Sequence, residues 1–203
     1  MLKEEIFKNG LDFIQDKSIK EFVKFCINSF PDYFWESLAS PSGKHHGGEL
    51  LLDHVLGCVE LGFKVCEQQS NWTQKQKDYL IASLILHDGW KCGDGLKKFS
   101  QEDYLHNKCV KNSIGMLKAD NTHAEIGYKE ILKLSEKFNK ISKIDTSDYL
   151  KIANYVRYHM GPWTKTESDV KFDLSGSYDS VLIQVHNVDF FQSNMAKIRK
   201  RND

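Results

Sequence analysis

The stretch Leu84-Ile85-Leu86-His87-Asp88-Gly89-Trp90-Lys91-Cys92-Gly93 decides how the chain is read. Upstream of it, Ile81, Ala82, Leu84 and Ile85 fall at helical spacing, and Thr73 stands where an N-cap would open the helix. A histidine and an aspartate then close that helix side by side. Placing them at the end of an apolar helix is costly unless something compensates their polarity.

Working outward, the same period recurs. Residues from Glu49 to about Gln69 carry one stripe at Leu52, Val55, Leu56, Val59, Phe63 and Cys66 and a second at Leu51, His54, Cys58 and Leu61. A helix apolar on two faces belongs in the interior. Before it, Phe22, Phe25, Cys26 and Phe30 are helically spaced, and Ser40 to Gly48 is a run of turn formers. After the opening stretch, Asn121 or Thr122 can cap a helix that ends near Phe138. Asp148 to His159 places Tyr149, Ile152, Val156 and His159 on one face, up to the Gly161-Pro162 break. A last helix, about Tyr178 to Ile198, has the stripe Val181, Leu182, Val185, Val188 and Asp189. The alternation typical of strands is hard to find, so an all-α single domain is expected.

At 203 residues, 40% hydrophobic and 28% charged, the chain suits one core. Its 28 basic and 28 acidic residues cancel, which removes any global attraction to nucleic acid or an anionic membrane. No apolar run is long enough to span a bilayer, and the N-terminal Met-Leu-Lys-Glu-Glu-Ile-Phe-Lys-Asn-Gly is too charged for a signal peptide. A cytoplasmic location is expected. Five cysteines without a C-x-x-C pair argue for thiols rather than a disulfide framework or a zinc knuckle.

Three helices set a metal-ligand residue type where the apolar stripe should continue, at His54, His159 and Asp189, and His87-Asp88 closes a fourth the same way. A buried carboxylate without a partner costs several kcal/mol. A shared metal ion would compensate all of these positions together.

In this ordered pattern, His, His-Asp, His, His, Asp, with Lys91 completing H-D-x-x-K, the chain resembles the HD-domain metal-dependent phosphohydrolase superfamily over roughly Ser40 to Asn194. The resemblance implies a helical HD-domain bundle at 40–203, with 1–39 as a helical segment packed on it. It implies one metal held by His54, His87, Asp88 and Asp189 and a second by Asp88, His123 and His159, with Asp88 bridging. Imidazole and carboxylate without thiolate favour manganese, iron, cobalt or a similar divalent ion, one or two per chain, with magnesium a further option. Two ions about 3.5–4 Å apart can share a hydroxide that attacks phosphorus.

Asp88 and Lys91 are then the catalytic candidates, Lys91 contacting either a substrate phosphate or the doublet. Arg157 adds charge to the substrate site or faces solvent, because two helical neighbours lie about 200° apart. Trp90 and Trp163 stack on a base or serve packing. His106 competes with His123, His45 and His46 lie in the Gly-rich loop, His186 is a supporting or core residue, and Cys92 is an inert thiol. The expected substrate is a small phosphorylated compound, above all a nucleotide. Alternatives are an HD-type diiron oxygenase, a metal-binding protein without turnover, and a 3'-5' exonuclease-like nucleic-acid hydrolase, the last disfavoured by the missing basic stripe.

Overall fold

The computed structural model describes residues 2–35, 39, 50–91, 123–164 and 179–202. Among them are seven α-helices and no strand: α1 (Leu2–Phe13), α2 (Lys17–Ile27), α3 (Leu51–Gln68), α4 (Gln74–Leu86), α5 (His123–Phe138), α6 (Thr146–Arg157) and α7 (Ser180–Asn202). Short 3-10 turns occupy Asp32–Trp35 and Gly161–Trp163. The all-α, single-domain expectation is met.

Helix α4 is the axis of the bundle. Every residue from Asp78 to Leu86 is buried; from Leu80 on, Ser83 alone is polar, and a stretch apolar on nearly every side must be covered on all sides. Helices α1, α2, α3, α6 and α7 cover it. Its start is a capping box: Thr73 accepts from the Gln76 N–H, and the Gln76 side chain in turn takes the Thr73 N–H at 2.9 Å. Asp78, buried near that start, accepts the backbone N–H groups of Gln15 and Asp16 at 3.1 and 2.8 Å and the Gln74 amide at 2.8 Å. One carboxylate thus pins the α1–α2 junction to the central helix.

The N-terminal residues enter the same core. Ile14, Ile19, Phe22, Val23, Cys26, Phe30 and Phe34 are buried with Leu80, Ile81, Leu84 and Ile85. Phe30 reaches the end of α4, where Trp90 meets it edge-on at 5.0 Å. A Cβ at Gly89 would collide with the Phe30 ring, so glycine there lets that ring pack against the chain just after His87 and Asp88.

Two expected helix ends shift. Helix α6 stops at Arg157, two residues short of His159, which lies in the turn that follows. Pro162 disfavours helical geometry at Gly161, which adopts φ +57°, and a Cβ there would stand 2.7 Å from the His186 ring. Helix α7 begins at Ser180, just after Asp179, whose carboxylate takes the Val181 N–H at 3.0 Å and the Tyr155 hydroxyl at 2.5 Å. The expected caps Asn121 and Thr122, and the Ser40 to Gly48 turn, lie outside the described residues. None of the described helices is long and apolar enough to cross a membrane.

Candidate metal centre

Five elements deliver six side chains to one point. His54 comes from the first half of α3, His87 and Asp88 from the end of α4, His123 from the first residue of α5, His159 from the turn after α6, and Asp189 from α7. All six are buried. They form two groups. His54 Nε2 stands 3.2 Å from His87 Nε2 and 3.1 Å from Asp189 Oδ1, with His87 Nε2 3.9 Å from the same oxygen. His123 Nε2 and His159 Nε2 stand 3.1 Å apart.

Asp88 joins the groups by dividing its carboxylate between them. Oδ2 faces His54 and His87 at 3.7 and 3.5 Å, and Oδ1 faces His123 and His159 at 3.2 and 3.6 Å. Lys91 lays its ammonium 2.8 Å from Oδ2.

The tautomers decide what the cluster can hold. His87 Nδ1 lies 2.7 Å from the Leu84 carbonyl and His159 Nδ1 2.6 Å from the Val156 carbonyl. A carbonyl can only accept, so each Nδ1 carries the proton and each Nε2 turns a lone pair towards the cluster. Such N–H to carbonyl contacts are how proteins aim metal-ligating histidines. Asp88 Oδ1 is also fully buried and receives no hydrogen bond. Converging lone pairs and carboxylates repel one another in a low-dielectric interior unless a cation sits between them. The residues fit a metal.

Their protonation states agree. Burial lowers His54, and burial above all takes His159 from 6.5 down to about 3. Burial would raise Asp88, but the Lys91 ammonium holds it well below the usual carboxylate range. Asp189 is likewise held low against burial, first by its hydrogen bond with His54. His54 and His159 without an added proton, beside ionised Asp88 and Asp189, are in the forms a metal needs.

Cys58 is the residue that the reading of ligands overlooked. Its Sγ lies 3.6 Å from His54 Nε2, and with His54, His87 and Asp189 it forms a set whose donor atoms all lie within 4.8 Å of one another. A sulfur atom thus stands beside a group expected to offer only imidazole and carboxylate donors. The signal was available, since Cys58 follows His54 by four residues, the spacing that puts two side chains on one helix face. The other set is Asp88, His123 and His159.

Remaining candidates sort by what they touch. Arg157 is bound to Glu125, Nε to Oε2 at 2.7 Å and Nη2 to Oε1 at 3.1 Å, and lies over the Tyr128 ring. Since Glu125 is two residues from His123 and Arg157 two from His159, this pair straps α5 to α6 beside their two ligands. Nothing in the Glu125 sequence context marked it. His186 donates its Nδ1–H to the His159 carbonyl at 2.8 Å. Trp90 is buried packing, whereas Trp163 is 53% exposed and stacks on Phe190 with centroids 5.9 Å apart. His45, His46, Cys92 and His106 lie outside the described residues.

Comparison of the chain with protein-family models, curated proteins and solved structures gives no match.

Proposed function

We propose that the protein is a metal-dependent phosphohydrolase of the HD-domain type, acting on a small phosphorylated compound such as a nucleotide. The observation that carries this reading is Asp88, whose two oxygens face two separate histidine pairs, the arrangement a carboxylate needs to hold two ions side by side. His54, His87 and Asp189 would hold one ion, and His123 and His159 the other, with Asp88 shared. Bound there, divalent ions supply a Lewis acid for a phosphoryl oxygen and an acidified water.

The chain's own groups do the rest. Lys91 is the only cation within reach of Asp88 among its described ion-pair partners, and its side chain is partly exposed where the aspartate's is sealed, so it can hold a phosphate oxygen at the edge of the cluster. The Nδ1–H contacts of His87 and His159 keep their rings from rotating, which fixes the reacting geometry before substrate arrives. His54 and His159, fully buried, keep water away from the inner side of the cluster.

The test is metal content by mass spectrometry on protein purified without chelator, with phosphate release from a nucleotide panel measured on the same sample. About two ions per chain with release supports the reading. Iron without release points to the oxygenase alternative, and no metal after reconstitution removes the proposal.

A further inference from the structure

We propose that Cys58 is a thiolate ligand to the ion held by His54, His87 and Asp189, so that the two halves of the centre prefer different metals. This rests on the metal-centre reading. The half with Cys58 takes a thiophilic ion such as zinc, iron or cobalt, and the half made by Asp88, His123 and His159 takes a harder one.

Distances carry the inference. Around a tetrahedral ion with metal–nitrogen bonds of about 2.0–2.1 Å and a metal–sulfur bond of about 2.3 Å, nitrogen–nitrogen edges are roughly 3.3 Å and nitrogen–sulfur edges roughly 3.6 Å. The observed edges from His54 Nε2 are 3.2 Å to His87 Nε2, 3.1 Å to Asp189 Oδ1 and 3.6 Å to Cys58 Sγ. The three edges that meet at His54 thus have the lengths a tetrahedral ion would give, while His87 Nε2 and Asp189 Oδ1 stand wider apart, at 3.9 Å. Helix α3 supplies two of the four donors from adjacent turns of one face, and both are wholly buried. Asp88 Oδ1, buried without a hydrogen bond, belongs to the other half, where it faces His123 and His159.

The contrast between the halves is chemical. Sulfur is a soft donor and shifts preference towards zinc, iron and cobalt, whereas the oxygen and nitrogen donors of the other half leave manganese and magnesium competitive. On binding, the Cys58 S–H bond breaks, its proton goes to solvent, and the sulfur lone pair bonds the ion.

The test uses the full chain, stripped by chelator and titrated with cobalt(II). Sulfur ligation gives an intense near-ultraviolet charge-transfer absorption. We expect it in the unaltered protein, in Cys92→Ser and in Cys109→Ser, and its loss in Cys58→Ser. That last variant should bind zinc at least tenfold more weakly, with manganese binding changed less than twofold. Cobalt bound without the absorption, or an absorption that survives Cys58→Ser, overturns the thiolate but leaves the centre standing. No cobalt bound at all overturns both. The unaltered protein's spectrum alone reports sulfur, so a Cys58→Ser chain that failed to fold would not shelter the proposal.

Discussion

Asp88 concentrates the demands of the whole centre in one side chain. Its carboxylate is buried, faces four imidazole nitrogens within 3.7 Å and carries Lys91 on Oδ2. Asp88→Asn keeps the shape and removes the charge. Phosphate release should fall at least 100-fold and metal content should drop, while far-ultraviolet circular dichroism stays that of the unaltered protein; release within tenfold of normal would remove Asp88 from the chemistry. Arg157 poses a different question. Removing it leaves Glu125, itself buried, without its guanidinium. Arg157→Ala should therefore cost roughly 1–3 kcal/mol in denaturant unfolding and weaken metal retention through the loosened His123 and His159. If Arg157 instead served substrate alone, stability would not move and only KM would rise. At this scale the sequence was informative about residue types and order. His54, His87, Asp88, His159 and Asp189 were singled out because polar groups interrupted apolar stripes, and His123 by the ordered pattern of the resemblance. Cys58 was passed over because a cysteine on such a stripe looks like any small apolar residue, and Glu125 because its importance lies wholly in a partner 32 residues away.

At the scale of elements, helix ends place the ligands. His87 follows the last residue of α4, His123 opens α5 and His159 follows α6. Helix ends are where the chain changes direction, so side chains there can face a neighbour's end instead of a neighbour's flank. Gly161 is the sharpest case, with φ +57° and the His186 ring against it. Gly161→Ala should cost about 1–2 kcal/mol from the left-handed conformation alone, and more from displacing His186, whose Nδ1–H bonds the His159 carbonyl. Thermal unfolding measures the first effect and metal retention the second. A variant as stable as the parent would mean that the turn relaxes freely. Helical periodicity predicted α3, α4 and their approximate limits well, because the repeat is local covalent geometry. It overran the end of α6, because the stripe continues to His159 while the Gly161-Pro162 pair terminates the helix earlier.

For the whole molecule, the centre opposes stability unless it is filled. His159 holds no proton in the folded protein until about pH 3, whereas in the unfolded chain it takes one up near 6.5. A folded pKa below the unfolded one means that acid favours unfolding. Metal-free protein should lose stability as pH falls through 6.5, by roughly 4 kcal/mol at pH 3 from this residue alone. His54 pulls the same way, and Asp88, lowered in the fold, adds a further loss below its ordinary 3.8. Denaturant midpoints of the metal-free chain from pH 7 to 4 should fall steadily, and saturating metal should raise each midpoint. A flat profile would show that the histidines are not sealed from water.

What the sequence determined by itself is what depends on near neighbours along the chain: helical content, the Thr73 cap, the break at Gly161-Pro162, and the order in which ligand-type residues occur. The tertiary structure alone decided which of them meet. It paired His54 with His87 and His123 with His159, divided Asp88 between the pairs, brought Cys58 into the first group and engaged Arg157 with Glu125. The physical reason is that a helix's period states which residues share a face, but which faces are buried together follows from the packing of five helices around α4.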